Sequence, residues 1–222
     1  METMPYQANV DWTPPAALSA QPAAVTSDWR TGLPLLSGKR VALRELRMSD
    51  APSLFAMLTT DEVARFISPP PSTVEGFKRF IAWTLRQRAE GTYACFAVTL
   101  QGFDIAIGIF QVRETRPGFE TAEWGFAIGS PFWGTGVFED SATLVLEFVF
   151  DEIGVHRLEA RAAVLNGRGN GALTKLGAVQ EGILRQSFRR NGRCLDQVLY
   201  AIVEDDWRAS REAAEPLHIQ IH

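Results

Sequence analysis

The stretch that decides the fold runs from Glu123 to Phe138 and reads Glu-Trp-Gly-Phe-Ala-Ile-Gly-Ser-Pro-Phe-Trp-Gly-Thr-Gly-Val-Phe. Its first part belongs to a strand predicted over 120–128, and its end opens a helix predicted over 135–152. Glycines at 134 and 136 let the backbone approach a ligand, and a helix N-terminus adds partial positive charge, so the turn suits a pyrophosphate. A plain strand–helix turn is the alternative. The third glycine of a dinucleotide fingerprint and the Gly-Lys-Ser/Thr of a P-loop are both missing.

A second group of interest begins at Asn166, which follows a strand predicted over 156–164. A short helix predicted over 169–176 leads from it to Gly177. The side-chain amide of an asparagine both donates and accepts hydrogen bonds, so it can hold the amide-rich arm of a cofactor. A helix N-cap or turn role is the equal alternative.

The rest of the chain supplies a sheet around these two segments. Further strands are predicted over 41–46, 95–100, 105–113, 179–188 and 194–203, the last two joined at Asn191-Gly192. Further helices are predicted after a cap at Ser49-Asp50, as a turn over 61–66, after a capping box of Ser72 with Glu75, and over 204–211. The order β, αα, βββ, α, β, α, ββ predicts an α/β fold with a mixed, mostly antiparallel central sheet flanked by helices.

The domain is predicted over 33–211. Residues 1–32 are rich in proline and alanine, and we predict an N-terminal extension there. It either wraps the domain, with Trp12 and Trp29 as anchors on the surface, or stays loose as a poorly ordered tail. A C-terminal tail is predicted over 212–222.

Composition excludes several classes of protein. The 222 residues carry a formal net charge of −4, which argues against a large nucleic-acid footprint. We find no apolar run of about 18 residues and no secretory signal, so no membrane partner and a cytoplasmic location are expected. Cys95 and Cys194 have neither metal-ligand spacing nor the density of a disulfide scaffold, so no metal is expected.

Several spaced motifs together resemble the GNAT superfamily of acyl-CoA N-acyltransferases. They are Glu123-Trp-Gly-Phe-Ala-Ile, Pro131-Phe-Trp-Gly-Thr-Gly, Gly154-Val-His-Arg-Leu-Glu-Ala-Arg, Asn166, and Thr174-Lys-Leu-Gly. The similarity is to the Rim-type branch, which acetylates N-termini of ribosomal proteins and includes many amine acetyltransferases. The closing run Arg190-Asn-Gly-Arg-Cys-Leu-Asp-Gln-Val-Leu-Tyr is similar to that branch, and the resemblance covers about residues 33–210.

The resemblance implies acetyl-CoA as co-substrate and an amine as acceptor, either a small molecule or a protein N-terminus. The strand backbone that holds the pantetheine arm matches Phe126, Ala127 and Ile128. The pyrophosphate turn matches Trp133, Gly134, Thr135, Gly136, Val137 and Phe138. The family's asparagine matches Asn166, and Lys175, with Arg168, is a candidate for the cofactor's 3′-phosphate. Relatives are often dimers, so a homodimer is possible by analogy.

The sequence also departs from the family pattern. Phe138 stands where a small residue is expected, and Gly169 where serine is frequent. Leu173 replaces the tyrosine that some relatives use as general acid. An active acetyltransferase is the first hypothesis, and these departures give some weight to an alternative in which the protein is a catalytically degenerate GNAT-fold module that binds coenzyme A for sensing or regulation.

Direct attack of an amine on a thioester needs a neutral amine and stabilisation of the oxyanion. We predict Glu123 as the base, acting through water, and a backbone N–H at or near Ile128 as the oxyanion donor. An exposed strand carboxylate, or a binder of the substrate ammonium, is the alternative for Glu123. Glu159 is predicted to pair with Arg157 or Arg161 instead of taking part in catalysis.

Overall fold

The computed structural model describes residues 28–190 and 192–214. The strands are β1 (Leu36–Ser37), β2 (Val41–Glu45), β3 (Tyr93–Leu100), β4 (Gly108–Glu114), β5 (Thr121–Ile128), β6 (Arg157–Ala163), β7 (Val179–Arg190) and β8 (Arg193–Val203). The helices are α1 (Ala51–Leu58), α2 (Asp61–Ala64), α3 (Val74–Ala89), α4 (Val137–Glu147), α5 (Gly167–Lys175) and α6 (Glu204–Ala214).

All eight strands form one sheet in the order β1-β2-β3-β4-β5-β6-β8-β7. Every neighbouring pair is antiparallel except β5 and β6, which are parallel. The predicted mixed, mostly antiparallel sheet flanked by helices is therefore confirmed. A parallel pair needs a crossover connection, and α4 supplies it between β5 and β6.

Helices cover both faces of the sheet. Val145 of α4 and Leu158 of β6 belong to the larger apolar core on one face, and both are fully buried. Leu54 of α1 and Ile81 of α3 belong to the core on the other face and are equally buried. Because strand side chains alternate between the faces, the central strands β3 and β5 contribute to both cores.

Trp29 corrects the predicted surface anchor. Its side chain is only 5% exposed and lies in the larger core. It meets Phe119 and Phe148 edge-on, with ring centroids 5.8 and 6.4 Å apart. Trp12 lies outside the described residues, so its predicted role stays a prediction.

Two predicted helix caps differ in detail. The cap of α3 is Thr73, one residue after the predicted Ser72, because the Thr73 hydroxyl accepts the N–H of Gly76 at 3.0 Å. Asp50 stands at the N-cap of α1 but makes no side-chain cap there. Its carboxylate instead accepts two hydrogen bonds from Arg44, each 2.8 Å long.

The helix predicted over 135–152 is shorter than expected at both ends. Its N-cap is Gly136, with φ +85°, so the helix begins at Val137. After Glu147 the chain widens into a π-helical turn, Phe148–Ile153, which ends at Gly154 with φ +80°. Positive φ costs glycine little, which is why both boundaries fall on glycines.

Candidate active site

The central feature of the site is a gap between β5 and β6. The two strands pair in register only at Thr121–Glu123 with Arg157–Glu159. Beyond Glu123, β5 continues to Ile128 without a β6 partner in the register. This separation exposes strand backbone inside the sheet, where a ligand can bind to it.

The register with β4 decides which backbone groups of β5 face the gap. Thr121 accepts a hydrogen bond from Thr115, and Gly129 donates one to Ile107, so odd-numbered residues of β5 bond to β4. In an antiparallel pair these positions alternate. The N–H and C=O groups of Phe126 and Ile128 therefore face the gap. Those of Ala127 face β4, in register with Ile109.

The side chain of Trp133 already uses one of these groups. Its Nε1–H donates to the carbonyl oxygen of Ile128 at 2.9 Å. The guanidinium of Arg168 lies over the Trp133 ring, 4.4 Å from the centroid. The indole thus joins the end of β5 to the start of α5, and the Ile128 N–H stays available on the gap side.

A cavity of about 720 Å³ lies at this gap. Its walls come from α2 and the residues after it, the end of β5, the turn from Trp133 to Phe138 (the glycine turn) and α5. The lining residues are Glu62, Val63, Arg65, Phe66, Ile67, Phe126, Ala127, Ile128, Trp133, Gly134, Gly136, Phe138, Glu139, Asn166, Gly167, Arg168, Gly169, Gly171, Ala172 and Lys175. The structure thus brings nine of the eleven residues predicted to bind the cofactor to one cavity.

The other two predicted residues, Thr135 and Val137, do not line the cavity. The hydroxyl of Thr135 donates to the carbonyl of Phe132 at 2.7 Å and so stabilises the turn itself. The side chain of Val137 is 3% exposed and packs in the core. Their side chains are therefore structural, and only their backbone remains available to a ligand.

The glycine turn presents its backbone closely to the cavity. Gly134 and Gly136 have φ of +74° and +85°. A Cβ on Gly136 would lie 3.1 Å from Nε of Arg40, so a side chain there would be both strained and crowded. Gly136, the N-cap of α4, has no side chain to cap it, and no other side chain within 28–190 or 192–214 does so, which leaves the first N–H groups of the helix free for an anion.

Phe138 narrows the cavity beside this turn. Its ring contacts that of Phe126 with centroids 4.6 Å apart and stacks on Phe110 at 5.9 Å. Phe138, which departs from the family pattern, therefore packs against other aromatic rings and forms part of the cavity wall.

Asn166 acts as the N-cap of α5, because its Oδ1 accepts the N–H of Gly169 at 3.0 Å. A Cβ on Gly169 would lie 2.5 Å from Nδ2 of Asn166. A side chain at position 169 would therefore displace this amide from its present position. Asn166 also lines the cavity, so the capping role and a ligand role are compatible.

Glu123, the predicted base, lies at the point where β5 and β6 separate and does not line the cavity. Its side chain is 18% exposed, and Oε2 is 2.7 Å from Nη2 of Arg113 and 3.3 Å from Nη1 of Arg161. Glu159 pairs with Arg157 at 3.0 Å and with Arg161 at 3.8 Å, as predicted.

Sequence reasoning missed the contribution of α2. Glu62 of α2 lines the cavity, and so do Arg65 and Phe66, which follow this helix. The helix has four residues, too few for a periodic pattern to show which of its sides faces a ligand.

Two further tests concern ligands and membranes. Within 28–190 and 192–214, no group of three or more His, Cys, Asp or Glu side chains could hold a metal ion. None of the helices that the structure describes is long and apolar enough to cross a membrane.

Comparison with known proteins identifies the family. The sequence model of the acetyltransferase (GNAT) domain matches residues 40–179. The uncharacterized N-acetyltransferase YoaA of Bacillus subtilis is 27% identical over 185 residues, which span 77% of this chain and 97% of that protein. The [ribosomal protein uS5]-alanine N-acetyltransferase of Escherichia coli is 27% identical over 96 residues, 43% of this chain and 50% of that protein.

Solved structures agree on the fold. Mycobacterium smegmatis RimJ in complex with CoA-disulfide superposes with a TM-score of 0.70 at 22% identity, covering 78% of this chain and 88% of that one. The chain therefore belongs to the GNAT acetyltransferase family and is an acetyltransferase.

Proposed function

We propose that this enzyme transfers an acetyl group from acetyl-CoA to a primary amine by direct attack. The observation that carries the proposal is the gap at the end of β5, where strand backbone without a strand partner adjoins the uncapped start of α4 in one cavity. The amide-containing arm of a long cofactor would match the strand backbone, and its pyrophosphate would match the start of α4.

The residues present fit that cofactor. The N–H and C=O groups of Phe126, which face the gap, complement the amides of a pantetheine arm, as another strand would. The backbone of Gly134 and Gly136 leaves room for a pyrophosphate at the start of α4. When bound, acetyl-CoA supplies the acetyl group as an activated thioester.

The chain's own groups then serve the acceptor. The N–H of Ile128 is placed to donate to a carbonyl oxygen as negative charge develops there. Glu123 is proposed to take the proton of the amine through water. Arg113 and Arg161 hold its Oε2, while Oε1 accepts no hydrogen bond from the described part of the chain, so it is open to a water molecule.

Names of relatives support a protein N-terminus as the first acceptor to test. One relative is the [ribosomal protein uS5]-alanine N-acetyltransferase of Escherichia coli. The ribosomal-protein-S5-alanine acetyltransferase from Vibrio fischeri has a similar fold, with a TM-score of 0.69. Peptides with a free N-terminal alanine, and the same peptides with a blocked N-terminus, form the initial substrate pair.

Calorimetric titration with acetyl-CoA tests the proposal, with free adenosine as the ligand control. We expect binding in the micromolar range that Gly136→Glu abolishes, because the substitution brings bulk and negative charge to the pyrophosphate position. Gly102→Glu is the matched control, since Gly102 has φ +83° and open space around its Cβ position, away from the cavity.

Each result has a definite meaning. No binding of acetyl-CoA to the unaltered protein would contradict the cofactor assignment. Binding without transfer to any amine would favour the alternative of a coenzyme A-binding module without turnover, in which the buried Leu173 replaces a general acid.

A further inference from the structure

A second hollow lies on the other side of the glycine turn. It has a volume of about 340 Å³ and is lined by Lys39, Arg40, Gly136, Glu139, Asp140 and Thr143. Gly136 and Glu139 line both this hollow and the main cavity. The two spaces therefore adjoin at the glycine turn, and a ligand that follows the turn can enter both.

The basic residues of this hollow belong to the short connection between β1 and β2, and Asp140 of α4 fixes that connection in place. The carboxylate of Asp140 accepts the backbone N–H groups of Lys39, Arg40 and Val41 at 3.2, 2.6 and 3.2 Å. A Cβ on Gly38 would lie 2.7 Å from Oδ2 of the same carboxylate. These bonds use backbone atoms only, so the side chains of Lys39 and Arg40 are free for another purpose.

The hollow offers two cationic side chains to an anion. Lys39 and Arg40 are exposed, and neither forms an ion pair with any residue of 28–190 or 192–214. The Arg40 head lies against the glycine turn, with Nε 3.1 Å from the Cβ position of Gly136. Glu139 and Asp140 also line the hollow and balance its formal charge, but Asp140 directs its oxygens at three backbone N–H groups, so both cations remain available to a phosphate.

We infer that Lys39 and Arg40 bind the ribose 3′-phosphate of the cofactor, in the hollow beyond the glycine turn. This inference rests on the proposed function, because the glycine turn must first hold the pyrophosphate. The 3′-phosphate is the next anionic group of the same molecule, and the adjoining hollow offers two cations to it. Guanidinium and ammonium groups both form charge-assisted hydrogen bonds with phosphate oxygens.

Lys175 is the competing candidate for the same phosphate, since it lines the main cavity at the end of α5. The two assignments differ in place, because Lys175 lies on the α5 side of the glycine turn, whereas Lys39 and Arg40 lie on its β1–β2 side. A ligand that lacks only the 3′-phosphate separates them.

The experiment measures the affinities of coenzyme A and of 3′-dephospho-coenzyme A by calorimetry. The proteins are the unaltered chain, the double variant Lys39→Ala/Arg40→Ala, and Lys175→Ala as the matched control. We expect the unaltered chain to prefer coenzyme A by about 10-fold or more, and the double variant to lose most of that preference. Its affinity for the dephospho ligand should change by less than about 3-fold, and Lys175→Ala should keep the preference.

A double variant that retains the full preference would overturn the inference, and a loss of preference in Lys175→Ala alone would assign the phosphate to Lys175. If the unaltered chain binds neither ligand, the proposed function itself fails. If it binds both with equal affinity, the proposed function stands and this inference fails. An unchanged thermal midpoint in the double variant checks that the Asp140 contacts keep the connection folded.

Discussion

Arg161 of β6 pairs with Glu123 of β5 where the two strands separate, with Nη1 of the arginine 3.3 Å from Oε2 of the glutamate. Arg113 of β4 approaches the same oxygen from the other side at 2.7 Å. The carboxylate is therefore held at the edge of the gap by strands on both sides. A group held in this way can position a water molecule reproducibly, which is what a base acting at a distance requires.

The first prediction concerns catalysis by Glu123. Glu123→Gln should lower kcat by about 100-fold, because the amide cannot accept the proton, while acetyl-CoA affinity should stay within about 2-fold. Glu159→Gln is the matched control, since Glu159 also pairs with Arg161 but has both oxygens paired, Oε1 with Arg157 and Oε2 with Arg161. Steady-state rates across pH and calorimetry measure both effects. An unchanged rate–pH profile in Glu123→Gln would remove it as the base.

The second prediction concerns the start of the domain. Trp29→Ala should reduce the free energy of unfolding by about 3–5 kcal/mol, because a large buried ring is removed from among Phe119 and Phe148. Leu35→Ala is the control, since Leu35 is 69% exposed and should change stability by less than about 0.5 kcal/mol. Urea unfolding measures both.

The same experiment tests the predicted boundary at residue 33. A chain that starts at residue 28 should be more stable than one that starts at residue 33, because only the longer chain contains Trp29. Equal unfolding midpoints for the two chains would show that Trp29 adds nothing to the core.

The third prediction concerns the buried arginine of β2. Arg44 is 7% exposed and donates to Asp50 at 2.8 Å and to Asp104 at 2.5 Å. Asp50→Ala should cost about 3 kcal/mol of stability, because it leaves a buried cation without its buried partner. Asp104→Ala should cost less, since the side chain of Asp104 is 66% exposed and its pair is screened by water.

The same pair gives a pH dependence with a definite sign. The hydrogen bond from Arg44 holds the pKa of Asp104 below its usual value. A carboxyl whose pKa is lowered on folding adds stability above its unfolded pKa, about 3.9, and loses it as pH falls through the folded value. The difference in stability between the unaltered chain and Asp104→Asn should therefore shrink between about pH 5 and pH 2. A difference that is constant across this range would contradict the assignment.

The fourth prediction concerns the two thiols. Cys95 is buried and Cys194 is exposed, and burial raises the pKa of the Cys95 thiol. Because the thiolate is the reactive form, one thiol per chain should react with a disulfide reagent in the native protein, and two in denaturant. Cys194→Ser should leave none that reacts quickly in the native state. Rapid reaction of two native thiols would show that the smaller core opens readily.

The fold was largely predictable because its determinants are local. Alternation located the strands that carry the site, and paired glycines located the turn before α4. The cap at Thr73 was placed one residue early because Ser72 and Thr73 have equivalent hydroxyls, and only the backbone decides between them. Strand β1 was missed because two residues give no periodicity.

The glycine turn and Asn166 could be predicted because each is marked by a local sequence motif. The residues that meet the turn from distant parts of the chain could not be predicted. Lys39 and Arg40 are held beside the turn by Asp140, which lies about one hundred residues later in the chain. The orientation of the Val137 side chain could not be predicted either. It points into the core because of the backbone conformation of the turn, in which Gly134 and Gly136 have positive φ. No periodic pattern in sequence contains that information.

The separation of β5 and β6 has a consequence for cooperativity. Strands β1 to β5 and strands β6 to β8 form two sub-sheets joined by three residue pairs. Amide hydrogen exchange near such a seam is governed by local opening, at a lower free energy than that of global unfolding. A ligand bound between β5 and β6 would form hydrogen bonds where these strands do not pair. Its binding should therefore slow amide hydrogen exchange in both sub-sheets. The gap that we propose as the cofactor site is thus also the place where we expect the sheet to open first.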